Sequence, residues 1–547
     1  MRKIQQKQIF DTLEIIKDAQ IAKNYADCQD GALALCDFIE SITNKGEKTV
    51  NLLEKYCELL FNANSGNIGE TALQVHFNSI VKSVQEELKP TRLEIAFISH
   101  MSALSDTMET IYKAAKADPN CDAYWIPVPY YEVTPTGETT QKLFESLDNY
   151  SDDFELVDWQ TYDIETRQPD IVFHCNLYTS NKTDEKLIPV NFSVEILREY
   201  INMIVYIPYF AQDSLLECPE FMVDHGSLFS NKVIVPSEKS KLEYMLAFKA
   251  TLTKTHLAKI IPLGSPSFKI AWGFPSFENT EKFIPLGSPK YDKVLISKRE
   301  EFTFPVEWCK IIQNKKIILY NTTIETMREN NITDYLNKID NILTFFAKNT
   351  SIILWWRPHP FMEKQISYNH PLGLKTYQNI VDNYKAAAYG LFDESPNLHR
   401  AIACTNGYYG DKNSLLHLYA VSGKPLILQD VTFDNSQINN QQNIDHLKNV
   451  FFPKTPQTTA EELFHHENEN LQLHDLYNFV LHGDYTQADI LAQQKATIKI
   501  FGLPEDDLSG NLIYNYVKTE TLGRVPTRQN ASNLLKCSYE NKSRAIR

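Results

Sequence analysis

Trp356-Arg357-Pro358-His359-Pro360, followed later by Tyr408-Tyr409-Gly410-Asp411-Lys412-Asn413-Ser414, decides how this chain is read. Each segment closes an apolar run, residues 351–356 and 401–405, of the length and make-up of a buried parallel strand. Both should then surface along one edge of one sheet, the carboxyl edge where open α/β sheets bind ligands. Arg357 offers a planar fork of donors, His359 lies two residues on, and Pro358 stiffens the turn between them. The second segment leads into a helix expected over 414–422, whose free N–H groups favour phosphate. Together the segments predict a site for a nucleotide diphosphate.

Working outward, strands are expected at 316–320, 351–356, near 390–392, at 401–405 and at 425–429, with helices around 332–347, 376–388 and 414–422. An earlier series has strands at 93–99, 123–128, 171–175, 204–208 and 232–235, and a helix at 106–117. Such alternation argues for parallel sheets with crossover helices. Two doubly wound sheets in one chain imply a cleft between them, a preferred place for ligands. Residues 1–90 carry apolar residues at helical spacing, Ile9, Leu13 and Ile16 among them, and read as a helical appendage or a dimerisation element, so a homo-oligomer is among the partners allowed.

With 547 residues, 43% of them hydrophobic and 12% aromatic, the chain can bury sizeable cores. A net charge of −15 argues against nucleic acid as a partner and leaves room only for a local anion site. The nine cysteines form no CxxC pair and no metal-ligand spacing, so no metal is expected. No signal-peptide h-region and no spanning stretch is seen, which places the protein in the cytoplasm. From Leu508 onward Lys518, Arg524, Arg528, Lys536, Lys542, Arg544 and Arg547 outnumber Glu520 and Glu540; such a tail is solvated, or touches the anionic inner face of the cell membrane.

Several further residues have chemistry suited to the cleft. Asn321 and Thr322 close the first strand of the second series, where an amide and hydroxyls can hold a phosphate. Asp393, Glu394, Ser395 and His399 follow the strand near 390–392. Gly410 permits close backbone approach and Ser414 can bind phosphate oxygens, whereas Asp411 would repel them and suits a helix cap or a hydroxyl partner. His100 and Asp106 link strand to helix in the first series and are candidates for a general base, with capping by Ser105 or Asp106 as the plainer role. A near-duplicate, Ile261-Pro262-Leu263-Gly264-Ser265-Pro266 and Ile284-Pro285-Leu286-Gly287-Ser288-Pro289, lies between the series; Asp292 and Lys293 follow only the second copy, which makes Gly287 and Ser288 the better candidates.

These residues resemble the CDP-glycerol glycerophosphotransferase family, of the teichoic-acid primase and polymerase type. The similarity runs from about Leu93 to Gln429 through Ser105-Asp106, Ile126-Pro127-Val128-Pro129-Tyr130-Tyr131, Tyr206-Ile207-Pro208-Tyr209, Leu286-Gly287-Ser288-Pro289-Lys290-Tyr291-Asp292-Lys293, Tyr320-Asn321-Thr322, the Arg357–His359 segment and the stretch from Leu398 to Ser414. The resemblance implies a GT-B fold: a helical extension over 1–90, an N-terminal Rossmann-like acceptor domain over 91–295, a C-terminal Rossmann-like nucleotide-donor domain over 296–505 and a basic tail over 506–547. It implies that Arg357 and His359 contact the donor pyrophosphate and that residues 410–414 match the Asp-x-Ser-Ser element of the phosphate loop, with Asn413 in place of its first Ser. Leu418 stands where polymerases often carry an acidic residue.

The expected function is metal-independent transfer of a polyol phosphate, glycerol phosphate first, from a CDP-linked donor to a glycan or polyol-phosphate hydroxyl in cell-surface polymer synthesis, releasing CMP. No cofactor is expected beyond that donor. Two other classes fit the same scaffold: a glycosyltransferase using a nucleotide sugar, and a non-catalytic nucleotide-binding scaffold.

Overall fold

The computed structural model describes residues 1–133, 139–175, 186–210, 222–251, 281–429, 431, 443–454, 457, 460–464 and 471–523. The first copy of the duplicated segment, Cys218, Cys537 and the tail beyond 523 lie outside the described residues.

Two parallel sheets organise the chain. The first contains β1 (Leu93–Ser99), β2 (Cys121–Pro127), β5 (Ile171–His174), β7 (Ile204–Tyr206), β8 (Lys232–Val235) and β9 (Phe283–Pro285) in the order β2-β1-β5-β7-β8-β9. A small antiparallel sheet of β3 (Tyr130–Val133), β4 (Thr139–Leu143) and β6 (Lys186–Leu187) stands beside it. The second parallel sheet has β10 (Lys316–Thr322), β11 (Ile352–Pro358), β12 (Leu391–Phe392), β13 (Gly407–Gly410) and β14 (Leu426–Leu428) in the order β12-β11-β10-β13-β14. In both, the chain starts in the middle, grows to one side and then crosses to the other. The fold is therefore α/β, with two Rossmann-like doubly wound lobes of the GT-B type and a helical N-terminal extension.

The continuous apolar runs have a simple cause: both faces of each sheet are covered. Ile318, Tyr320, Trp356 and Tyr409 enter one core of the second lobe, while their neighbours Ile317, Leu319, Trp355 and Tyr408 enter the core on the opposite face. The first sheet splits in the same way, with Ala96 and Ile98 on one side and Ile95 and Phe97 on the other. Ahead of it, helices Lys3–Ile21, Tyr25–Ile42, Glu47–Asn64 and Glu70–Glu87 share a separate core that includes Ile9, Leu13, Leu35, Tyr56 and Ile80. Arg2 ties this bundle to the first lobe, its guanidinium 2.9 Å from Glu94 and 3.0 Å from Asp170.

Three elements depart from expectation. Residues 401–405 are not a strand: Leu398–Cys404 is helical, and the strand is Gly407–Gly410. Asn397 caps that helix by accepting from Arg400 N at 3.0 Å, and the Lys424 ammonium donates to the carbonyls of Ile402, Ala403 and Thr405 at its far end. The expected helix at 106–117 divides into a 3-10 turn, Ser102–Thr107, and the helix Glu109–Ala117. Finally, part of the region read as a tail is the helix Ser509–Thr521, which buries Ile513, Tyr514 and Val517 in the core of the first lobe. Each such side chain contributes about 1.5–3 kcal/mol of burial, which outweighs a basic tail's preference for solvent. Among the described residues no helix is long and apolar enough to cross a membrane.

Candidate active site

The second sheet reverses direction of growth between β10 and β13, and the crevice outside that point is where doubly wound sheets take ligands. The register puts Arg357, Asn321 and Gly410 side by side across β11, β10 and β13. Gly410 is required there, because a Cβ would collide with the backbone of Asn321, whose nitrogen would lie 2.9 Å away. Asn321 Nδ2 donates to the Arg357 carbonyl at 2.7 Å, and its side-chain oxygen accepts from Asn413 Nδ2. Thr322 is buried, its hydroxyl accepting from Trp356 Nε1 at 3.2 Å.

Asn413 caps the next helix, Ser414–Val421, by accepting from Leu416 N at 3.0 Å, and leaves Ser414 half-buried at its first turn. Asp411 is therefore not the cap. Its buried carboxylate accepts from Thr323 N at 2.6 Å, Tyr335 Oη at 2.9 Å and Gln429 Nε2 at 2.5 Å, joining the ends of β10 and β14. Burial pushes its pKa up to about 6, against the pull of those donors. Tyr335 and Gln429 were not selected from sequence, since nothing local marks them as partners of Asp411. Lys412, exposed beside this cluster, is a cation that the sequence reading passed over.

His359 and Arg357 part company. His359 is half-buried, with Nδ1 accepting from Phe361 N at 3.1 Å, and burial holds its pKa below the usual histidine value. The ring is thus neutral at pH 7 with its proton on Nε2, a donor suited to an anionic oxygen. The Arg357 guanidinium instead turns to Asp393, 2.7 Å away, and to the Ser395 carbonyl at 2.5 Å. Asp393 also accepts from Trp355 Nε1 at 3.1 Å and Ser395 N at 2.9 Å. Arg357 is only 8% exposed, so it braces the loop after β12.

In the first lobe the sheet reverses between β1 and β5, and His100 follows the end of β1, buried with its ring 5.5 Å from Tyr130. Asp106 does not cap a helix, and its oxygens are not free to act as a base. Lys290 Nζ donates to both, at 2.7 and 2.9 Å, and His399 Nε2 lies 2.8 Å from Oδ2. His399 thus joins the first lobe rather than the β10–β13 crevice. Gly287, at φ +89°, and Ser288 form the turn from β9 into the helix Pro289–Ile296, where the lobes join. Leu418 is buried in the second lobe's core, where an acidic residue would be uncompensated. Among the described residues no group of three or more His, Cys, Asp or Glu is placed to hold a metal ion.

No family model matches the chain, and no curated protein matches it. Solved structures resemble it at a distance. The wall teichoic acid polymerase TagF, in a variant form, is 11% identical over 87% of this chain and 98% of its own, with a TM-score of 0.43. MnaA of S. aureus, solved with UDP, is 12% identical over 80% and 98%, at 0.43. The UDP-GlcNAc 2-epimerase of Neisseria meningitidis, solved with UDP-GlcNAc, is 13% identical over 79% and 100%, at 0.40. Likenesses this distant carry no argument about what this chain does.

Proposed function

We propose that the protein is a transferase that moves a polyol phosphate, glycerol phosphate first, from a CDP-linked donor to a hydroxyl acceptor and releases CMP. One observation supports the reading: where the second sheet reverses growth, Asn321 at the end of β10 accepts from Asn413, the cap of the helix Ser414–Val421, and His359, just past the neighbouring β11, donates its backbone N–H to the Thr322 carbonyl at 2.9 Å. A neutral imidazole N–H, a helix N-terminus with Ser414, and the nearby Lys412 form a donor set for a diphosphate.

In the step proposed, the acceptor oxygen bonds to the β-phosphorus as the bond from that phosphorus to the oxygen bridging to CMP breaks. The negative charge gathers on the departing CMP, where His359 Nε2–H and the helix amides stabilise it without waiting for reorganisation. The acceptor proton passes to a base on the first lobe; with Asp106 committed to Lys290 and His399, His100 is the remaining candidate of the two.

CMP release from CDP-glycerol in the presence of a glycan acceptor tests the reading. His359→Ala is expected to lower that rate about 100-fold while the melting temperature holds, because the half-buried ring contributes little to the core. No CMP from any CDP-alcohol, together with a thermal shift by UDP- or GDP-sugars, would replace this proposal with a glycosyltransferase.

A further inference from the structure

Apolar burial holds each lobe together, but the seam between the lobes is polar. The linking helix Pro289–Ile296 shows both characters. Its Tyr291 and Val294 belong to the core of the second lobe, while Lys290, Asp292 and Lys293 face the first. Lys293 donates to Glu109 at 2.7 Å and Thr110 Oγ1 donates to Asp292 at 2.8 Å. Lys290 meets both oxygens of Asp106, and His399, from the second lobe's helix Leu398–Cys404, closes on the same carboxylate. Asp106 is 7% exposed, Lys290 5% and His399 5%. Burial opposes ionisation of Asp106, yet Lys290 and His399 outweigh it and hold the carboxyl well below the usual range. Among the described residues the buried Nδ1 of His399 has no hydrogen-bond partner, so the bond to Asp106 is what fixes this ring.

We propose that Asp106, Lys290 and His399 are positioning residues that set the register of the two lobes, and through it the approach of the acceptor to the donor phosphate. The proposal rests on the transferase reading and adds the means by which the two half-sites are brought into line. One carboxylate meeting two donors from separate elements restricts both sliding and rotation of the lobes. Were the lobes to part, the linking helix would stay with the second lobe through Tyr291 and Val294, and both contacts to Asp106 would break together. A buried charge cluster adds little net stability but does specify geometry, which is the role assigned here.

His399→Leu is the informative variant. Removing Asp106 would strand a buried ammonium and could prevent folding, whereas leucine at 399 deletes the buried Nδ1 and one of the two contacts to Asp106 and leaves the Lys290 pair intact, so the folded state is expected to persist. With CDP-glycerol and a glycan acceptor, kcat should fall about 10- to 100-fold while the donor KM stays within about threefold. Amide hydrogen exchange should quicken in 102–117 and 398–404, the two segments that meet at this bond. A folded His399→Leu protein with wild-type exchange in both segments, or with unchanged kcat, would overturn the proposal. If the wild-type protein releases no CMP, the transferase reading falls, and the exchange comparison still decides whether the lobes are held here.

Discussion

Asp411 shows how a residue can be visible in sequence and its task hidden. Its place before a helix suggests a cap, yet Asn413 takes that role and Asp411 joins Thr323, Tyr335 and Gln429 inside the lobe. The consequence is a titration. In the unfolded chain the carboxyl ionises near 3.9, and in the folded protein burial moves that to about 6. Between those values the folded state keeps a proton that the unfolded state gives up, so this group's contribution is full below pH ~4 and is lost as pH rises to 6. Asp411→Asn should therefore stabilise the protein at pH 7.5 by about 3 kcal/mol, with the gain disappearing near pH 4. Urea midpoints of the two proteins at both pH values measure it, and a pH-independent difference would contradict it. Arg357 is a similar case: its fork and strand-end position were legible, whereas the carboxylate it serves, Asp393, is brought near by the pairing of β11 with β12. His359 keeps to its own turn, its Nδ1 accepting from a backbone N–H two residues on.

At the scale of elements, the apolar runs read as strands are strands, short ones such as Lys232–Val235 and Leu426–Leu428 included, with 401–405 as the exception. β10 and β11 are each buried throughout or nearly so and flanked by polar turns, which marks a central parallel strand. The run at 401–405 is too brief for periodicity to separate strand from helix, and the deciding features, the Asn397 cap and the Lys424 ammonium at the far end, lie outside it. The true strand, Gly407–Gly410, begins and ends in glycine, which lowers strand propensity. Gly410 is there for contact with β10 rather than for an unusual φ. Gly410→Ala would drive a methyl group into Asn321, 2.9 Å from its nitrogen and 3.2 Å from its carbonyl carbon, both of them backbone atoms that cannot swing aside. Separation of β10 from β13 should cost about 1–3 kcal/mol and open the crevice that holds Asn321 and Asn413 in contact. Asn413→Ala should cost only about 1 kcal/mol, the worth of a cap. Denaturant titration of the pair checks the order, and a Gly410→Ala protein as stable as wild type would show that the strands adjust freely.

Across the whole molecule, the restart of the strand series revealed two lobes, but not how the chain returns from the second to the first. Two crossings link them, each with a glycine in the left-handed region: Gly287 at φ +89° and Gly502 at φ +64°. A Cβ on Gly287 would lie 2.7 Å from Pro504, so the crossings touch. Asp292 fastens them. Its carboxylate accepts from Ser509 N at 2.9 Å, Gly510 N at 2.8 Å and Thr110 Oγ1 at 2.8 Å, supplying the helix Ser509–Thr521 with the N-terminal acceptor that its own sequence lacks. That explains why the return was missed: Leu508 precedes the helix where a polar cap would have announced it, and the cap comes from a residue remote in sequence. Asp292→Ala should leave two buried amides unpaired at a cost of about 2–3 kcal/mol, concentrated at the crossing because the lobes have separate cores. Exchange should then quicken in 509–521 before it does in β10 or β11, and limited proteolysis should cut first near 505–508. Asp292→Asn, which keeps one acceptor oxygen, should lie between that variant and wild type. Uniform acceleration across both sheets would mean instead that the crossings and the lobes unfold as one unit, and that Asp292 secures the entire molecule rather than its joint.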